Sequence, residues 1–182
     1  DYHIAEYSNE ITKAGCKIAR EIADEFTAID PTKPRFVAGS IGPTNKACSI
    51  SPDINNPAVR DISFDEMVHA YKLQMTEMLL CDVDAFLIET IFDTLNAKAA
   101  IYAAEEAMNS IGKRIPLMLS ATIADTGGRT LSGQTLDAFV TSVKHADIFS
   151  IGLNCSFGAK QLKPFVKQLA ETTPYYISVH PN

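Results

Sequence analysis

Asp84-Ala-Phe-Leu-Ile-Glu-Thr90 is a short apolar run that begins and ends on polar residues. Asp93 and an alanine-rich stretch to about Ser110 follow it, and Gly112 closes that stretch. A continuous apolar run of this length reads as a buried strand. Asp93 then serves as helix N-cap and Gly112 as the left-handed residue that ends the helix. The same strand-helix unit recurs on both sides. Downstream come the strand Ile115-Pro-Leu-Met-Leu-Ser-Ala-Thr122 and a helix marked by Leu136, Phe139, Val140 and Val143. The strand Asp147-Ile-Phe-Ser-Ile-Gly-Leu-Asn154 follows, then a helix marked by Leu162, Phe165, Val166 and Leu169, then the strand Tyr175-Tyr-Ile-Ser-Val-His180. Upstream, Phe64, Met67, Val68, Tyr71, Met75 and Leu79 mark a helix over 63–80, capped by Ser63 or Asp61. Arg35-Phe-Val-Ala-Gly-Ser40 is the strand before it. Ile11, Ala14, Ile18, Ile22 and Phe26 recur at helical spacing over 8–28.

Helices alternating with short apolar strands predict a parallel sheet covered by helices. Two architectures fit five strands: an open flavodoxin-like sheet, or part of a (β/α)8 barrel. The chain opens on a helix without a preceding strand and ends at His180-Pro181-Asn182, on a strand end. Both features favour a partial TIM barrel over the whole of 1–182, since a full barrel has eight strands and about 250 residues.

Composition narrows the function classes. The 182 residues are 46% hydrophobic and 21% charged, as in ordinary globular proteins. The net charge is −6, and residues 1–30 hold seven acids against three bases. No basic patch points to nucleic acid. No apolar stretch reaches the roughly 20 residues of a membrane span. The mixed, acidic start Asp1-Tyr-His-Ile-Ala-Glu6 is unlike a signal peptide. The cysteines, Cys16, Cys48, Cys81 and Cys155, are scattered without a CxxC, which argues against a secreted disulfide framework. A cytoplasmic protein is expected.

Ligands of parallel α/β proteins bind at the carboxyl ends of the strands. Those ends here read Ser40-Ile-Gly-Pro-Thr44, Glu89-Thr90, Ser120-Ala-Thr122, Asn154-Cys155 and His180-Pro-Asn182. The two longest loops, 41–62 and 123–134, leave from the same edge, and loops that long are commonly functional. No phosphate-binding glycine motif occurs. Period-2 alternation sets Ala85, Leu87 and Glu89 on one face and Phe86 and Ile88 on the helix face. Glu89 therefore points inward, where a carboxylate needs a cation or hydrogen-bond donors. A salt bridge to a neighbouring Lys or Arg would serve equally. Strict alternation sets Ser150, Gly152 and Asn154 inward and Cys155 outward, so Cys155 faces a site only where the strand has already turned. Otherwise it is a buried, inert thiol. Cys16 and Cys81 read as packing residues, and Cys48, in the long loop, as an exposed one. His180 reads as structural, His3, His69 and His145 as surface residues, and Lys160, Lys163 and Lys167 as a solvated helix face.

Several of these stretches, taken together, resemble one family. Val37-Ala-Gly-Ser-Ile-Gly-Pro-Thr44, Ile50-Ser-Pro-Asp53, Leu87-Ile-Glu-Thr-Ile-Phe-Asp-Thr-Leu-Asn-Ala-Lys98, Gly128-Arg-Thr-Leu-Ser-Gly-Gln134, Gly152-Leu-Asn-Cys155 and His180-Pro-Asn182 resemble the homocysteine-binding domain of cobalamin-dependent methionine synthases. The likeness runs in order along nearly the whole chain. The family also includes homocysteine methyltransferases that use betaine or S-methylmethionine. The runs Ile91–Lys98 and Arg129–Gln134 look most like the cobalamin enzymes.

The resemblance implies a (β/α)8 barrel of which strands three to seven are present. It implies a methyltransferase that binds homocysteine as a zinc thiolate and methylates it from methylcobalamin to give methionine. Cys155 matches the first of three cysteine ligands of the zinc, and the other two, an adjacent pair, would lie beyond Asn182. Glu89 matches the glutamate that binds the substrate ammonium, and Asn154 adjoins the metal ligand and would orient it. Cobalamin and folate would be bound by other domains of the same polypeptide. One thiolate does not make a zinc site, so these residues alone are expected neither to hold zinc tightly nor to catalyse. The alternatives are a stand-alone homocysteine methyltransferase with another methyl donor, and a non-catalytic five-stranded binding domain.

Overall fold

A computed structural model describes residues 3–182; Asp1 and Tyr2, which open the acidic start, lie outside it. After a single 3-10 turn at Ala5–Tyr7 come α1 (Ser8–Ile29), β1 (Ala38–Ile41), α2 (Phe64–Leu80), β2 (Ala85–Ile91) and α3 (Thr94–Ile111). β3 (Leu117–Ala121), α4 (Leu136–Val143), β4 (Ser150–Asn154), α5 (Ala159–Thr172) and β5 (Tyr176–His180) complete the order. Every adjacent strand pair is parallel, and the sheet order is β1-β2-β3-β4-β5. That order decides between the two architectures. A doubly wound sheet reverses its strand order at a switch point, whereas strands laid down in chain order are one arc of a (β/α)8 barrel.

Local signals place the helices. Ser63 caps α2 through a capping box: its hydroxyl accepts from the Glu66 N–H while Glu66 accepts from the Ser63 N–H. Asp93 caps α3 by accepting from the Leu95 N–H at 2.8 Å, and Gly112 ends that helix at φ +75°. Thr135 caps α4.

The core lies between the outer sheet face and the helices. Ile41, Phe86, Leu119, Ile151 and Leu153 on the strands meet Met67, Met75, Leu79 and the alanines of α3. Ala99, Ala100, Ala103, Ala104 and Ala107 are all buried, and their small side chains let α3 approach the sheet and α2 closely.

Two features depart from the sequence expectations, the strand ends and Cys48, and a third, the setting of α1, is not specified by them. The strand ends are trimmed: Phe36 is exposed, and the Arg35 N–H donates to Thr27 Oγ1 rather than to a neighbouring strand. The apolar stripe of α1 is outside the core, with Ile11, Ile18, Ile22 and Phe26 each about half exposed or more. α1 instead packs on α2, burying Cys16 and Ala23, with the ion pair Lys13–Glu77 (3.2 Å) between them, and Arg20 pairs with Asp84 (2.7 Å) just before β2. Cys48 is buried rather than exposed, because polar groups at the start of α3 fasten the long loop down. The Cys48 N–H donates to Asn96 Oδ1 (2.8 Å), Asn96 Nδ2 donates to the Lys46 carbonyl (2.9 Å), and the Ser49 N–H donates to Asp93 Oδ2 (2.9 Å).

Candidate functional site

The carboxyl ends of β2, β3 and β4 converge on one polar cluster. Glu89, on β2, is on the inner face, as Phe86 and Ile88, both buried, take the helix side. Its carboxylate accepts from Ser40 Oγ (2.5 Å) on β1 and from Asn154 Nδ2 (3.4 Å) on β4. Among the described residues no Lys or Arg pairs with it, so the salt-bridge alternative is not what the fold adopts. Neutral donors orient a carboxylate without cancelling its charge. The Glu89 carboxylate is therefore hydrogen-bonded but has no cationic partner among the described residues.

Cys155 has left the strand. It stands at φ +59° and Ser156 at φ +60°, a left-handed pair that turns the chain immediately after β4. That turn overrides the alternation, which would have pointed the thiol at the helices. The thiol is exposed, 3.1 Å from Asn154 Nδ2 and 4.0 Å from Thr90 Oγ1. The Cys155 N–H donates to the His180 carbonyl, and the hydroxyls of Ser156 and Thr122 are hydrogen-bonded to each other. His180 thus enters through its backbone, and its side chain is exposed.

Asn154 is the centre of the cluster and only 3% exposed. Besides the contacts named, its Oδ1 accepts from the Thr90 N–H (3.0 Å) and from Ser120 Oγ (2.7 Å), and its Nδ2 donates to Thr90 Oγ1 (2.7 Å). One amide therefore links β2, β3 and β4. The register explains how Thr90 comes to be there. Ile88 pairs with Leu119 and Ile91 with Ala121, so β2 carries one residue more than β3 across this step. Such a bulge re-aims side chains, and here Glu89 and Thr90 both reach Asn154 while Ile91 returns to the buried face. Nothing in the sequence marks the bulge, and alternation alone assigns Thr90 to the helix side.

Among the described residues no group of three His, Cys, Asp or Glu is placed to hold a metal ion. An exposed thiol beside a buried amide fits one position of a thiolate site and supplies no second. An apolar cleft adjoins it, walled by Phe92, Ile123, Leu131 and Phe157. The loop 123–134 is held against the β2 end there, as Ser132 Oγ donates to the Phe92 carbonyl (2.8 Å). Cys16 is buried between helices, where burial and the adjacent Cys81 push its thiol up, as expected of a packing residue.

The family model described as homocysteine S-methyltransferase matches residues 1–182. The chain belongs to the homocysteine S-methyltransferase family. Solved structures with the same fold include two of the homocysteine methyltransferase MmuM from Escherichia coli. The apo form superposes with a TM-score of 0.75 at 20% identity, covering 97% of this chain and 61% of that one. The metallated form gives 0.75 at 18% identity, covering 96% of this chain and 58% of that one. The chain thus spans about three fifths of the length of the solved proteins it matches. No helix among its described residues is long and apolar enough to cross a membrane.

Proposed function

We propose that this chain forms the part of a methionine synthase barrel, strands three to seven of eight, that presents homocysteine for methylation by methylcobalamin. The observation that carries this reading is the convergence of Glu89 and Cys155 on Asn154, in a chain matched throughout by a homocysteine S-methyltransferase family model. Glu89 binds the substrate ammonium, and this cation answers the carboxylate left uncancelled by Ser40 and Asn154. Cys155 is one ligand of a zinc ion, with two further cysteine ligands from sequence beyond Asn182. Zinc, when bound, would hold the substrate thiol as its thiolate at neutral pH, where a free thiol of pKa about 8.5 is mostly protonated. Asn154 Nδ2 donates toward Cys155 Sγ and fixes its direction. In the reaction the substrate sulfur forms a bond to the methyl carbon as the donor releases it, and the proton has left the thiol beforehand.

Methylcobalamin as donor is supported by the runs Ile91–Lys98 and Arg129–Gln134, which resemble the cobalamin enzymes, and cobalamin and folate domains would belong to the same cytoplasmic polypeptide. The second reading is a stand-alone homocysteine methyltransferase with another methyl donor. The gene sequence after the barrel separates the two, as does a direct assay with methylcobalamin and with S-methylmethionine.

The decisive experiment measures zinc by elemental analysis on the full-length gene product and on its Cys155→Ala variant, beside homocysteine methylation. About one zinc per chain, lost together with methylation in the variant, is expected. Zinc and activity unchanged by the substitution would make Cys155 a bystander and overturn the reading.

A further inference from the structure

Thr90 is β-branched yet stands at φ +56°, a backbone region that favours glycine. Its N–H and Oγ1 are both engaged by Asn154, which lies two strands away across β3 and is itself anchored by Ser120. A buried amide therefore holds the bulge of β2 in a conformation that the residue would not choose alone. Thr90 Oγ1 accepts one hydrogen bond from Asn154 and retains its own hydrogen to donate. Cys155 Sγ is 4.0 Å from that oxygen.

We propose that Thr90 is a positioning residue for the Cys155 thiolate. Acting through Asn154, it fixes where Glu89 and Cys155 stand relative to each other, and its hydroxyl is a second donor to the sulfur beside Asn154 Nδ2. The inference rests on the reading of Cys155 as a metal-ligating thiolate. Hydrogen bonds of this kind orient ligands and tune the metal they hold. If Thr90 merely filled space at the strand end, valine would replace it without effect, because valine keeps the shape and the backbone N–H.

The test is cobalt(II) titration of the metal-free, full-length gene product, reading cobalt affinity and the near-ultraviolet thiolate-to-cobalt band. Wild type is compared with Thr90→Val, Thr90→Ala, Thr90→Ser and Cys155→Ser. Thr90→Val is expected to shift the band and weaken cobalt binding about 10-fold, with the fold retained, and Thr90→Ser to restore both. Band and affinity unchanged in Thr90→Val overturn the proposal. If Thr90→Val does not fold, the Ser and Ala variants give the same comparison, hydroxyl kept against hydroxyl lost, and equal behaviour of these two overturns it. A band retained in full by Cys155→Ser, or absent from wild type, refutes the reading of Cys155 itself and the inference with it.

Discussion

Glu89 Oε2 and Asn154 Nδ2 stand 3.4 Å apart, although 65 residues and the whole of β3 separate them. The contact orients the carboxylate and leaves its charge in place. A ligand ammonium would gain charge-assisted hydrogen bonds there.

Glu89→Gln keeps the size and removes the charge; its one amide oxygen can still accept from Asn154, and its NH2 can meet Ser40 only with the Ser40 hydroxyl turned to accept. Hydrogen bonds to charged groups contribute about 1.5–3 kcal/mol, which corresponds to a rise of roughly 10–150-fold in the KM for homocysteine. Steady-state kinetics of the full-length gene product check this. An unchanged KM would place the ammonium elsewhere.

Gly152 is where β4 and β5 approach too closely for a side chain. A Cβ there would fall 2.0 Å from the Ser178 carbonyl oxygen and 2.4 Å from its hydroxyl. Gly152→Ala must push the strands apart, two residues from Asn154. Overpacking of this kind costs about 1–3 kcal/mol, read as a lower denaturant midpoint. A neutral substitution would contradict the β4–β5 pairing.

Tyr71, on α2 and 5% exposed, has its phenol pushed up to about 12, by burial first and then by Cys48 and Asp93. In the unfolded chain the phenol ionises near pH 10. Below that both states hold the proton and this contribution is fully present. Between about pH 10 and 12 only the unfolded chain loses the proton, so stability falls by on the order of 2–3 kcal/mol. Tyr71→Phe should flatten this alkaline limb in a series of melts against pH, and an equally steep limb would assign it to other groups.

Ser63→Ala removes the hydroxyl that caps α2, and loss of such a cap costs about 1 kcal/mol. The Ser63 N–H and then its hydroxyl hold the Glu66 carboxyl below the usual carboxylate range. A lowered carboxyl stabilises above its unfolded pKa and ceases to do so as pH falls through the folded one. The stability gap between wild type and Ser63→Ala is therefore largest near neutrality and narrows on acidification. The Ser63 N–H bond to Glu66 survives the substitution, so a pH-independent gap would show that the hydroxyl contact contributes nothing to it.

The caps at Ser63, Asp93 and Gly112 and the inward face of Glu89 could be read from sequence because each follows from neighbours a few residues away. Burial of Cys48 could not. It depends on Asn96 and Asp93, more than forty residues on, fastening the loop to α3. The exposure of the α1 stripe was equally illegible, since periodicity reports which face is apolar and not whether another element covers it.

The sequence by itself determined the alternation of helices and strands, the parallel sheet and the edge at which polar residues gather, because strand and helix periods are local properties. Only the tertiary structure decided that Glu89, Thr90, Asn154 and Cys155 form one cluster. That needed an extra residue in β2, a left-handed turn after β4 and an amide reaching across β3. These are differences in register and backbone hand between strands distant in sequence. A period-2 pattern carries no record of them.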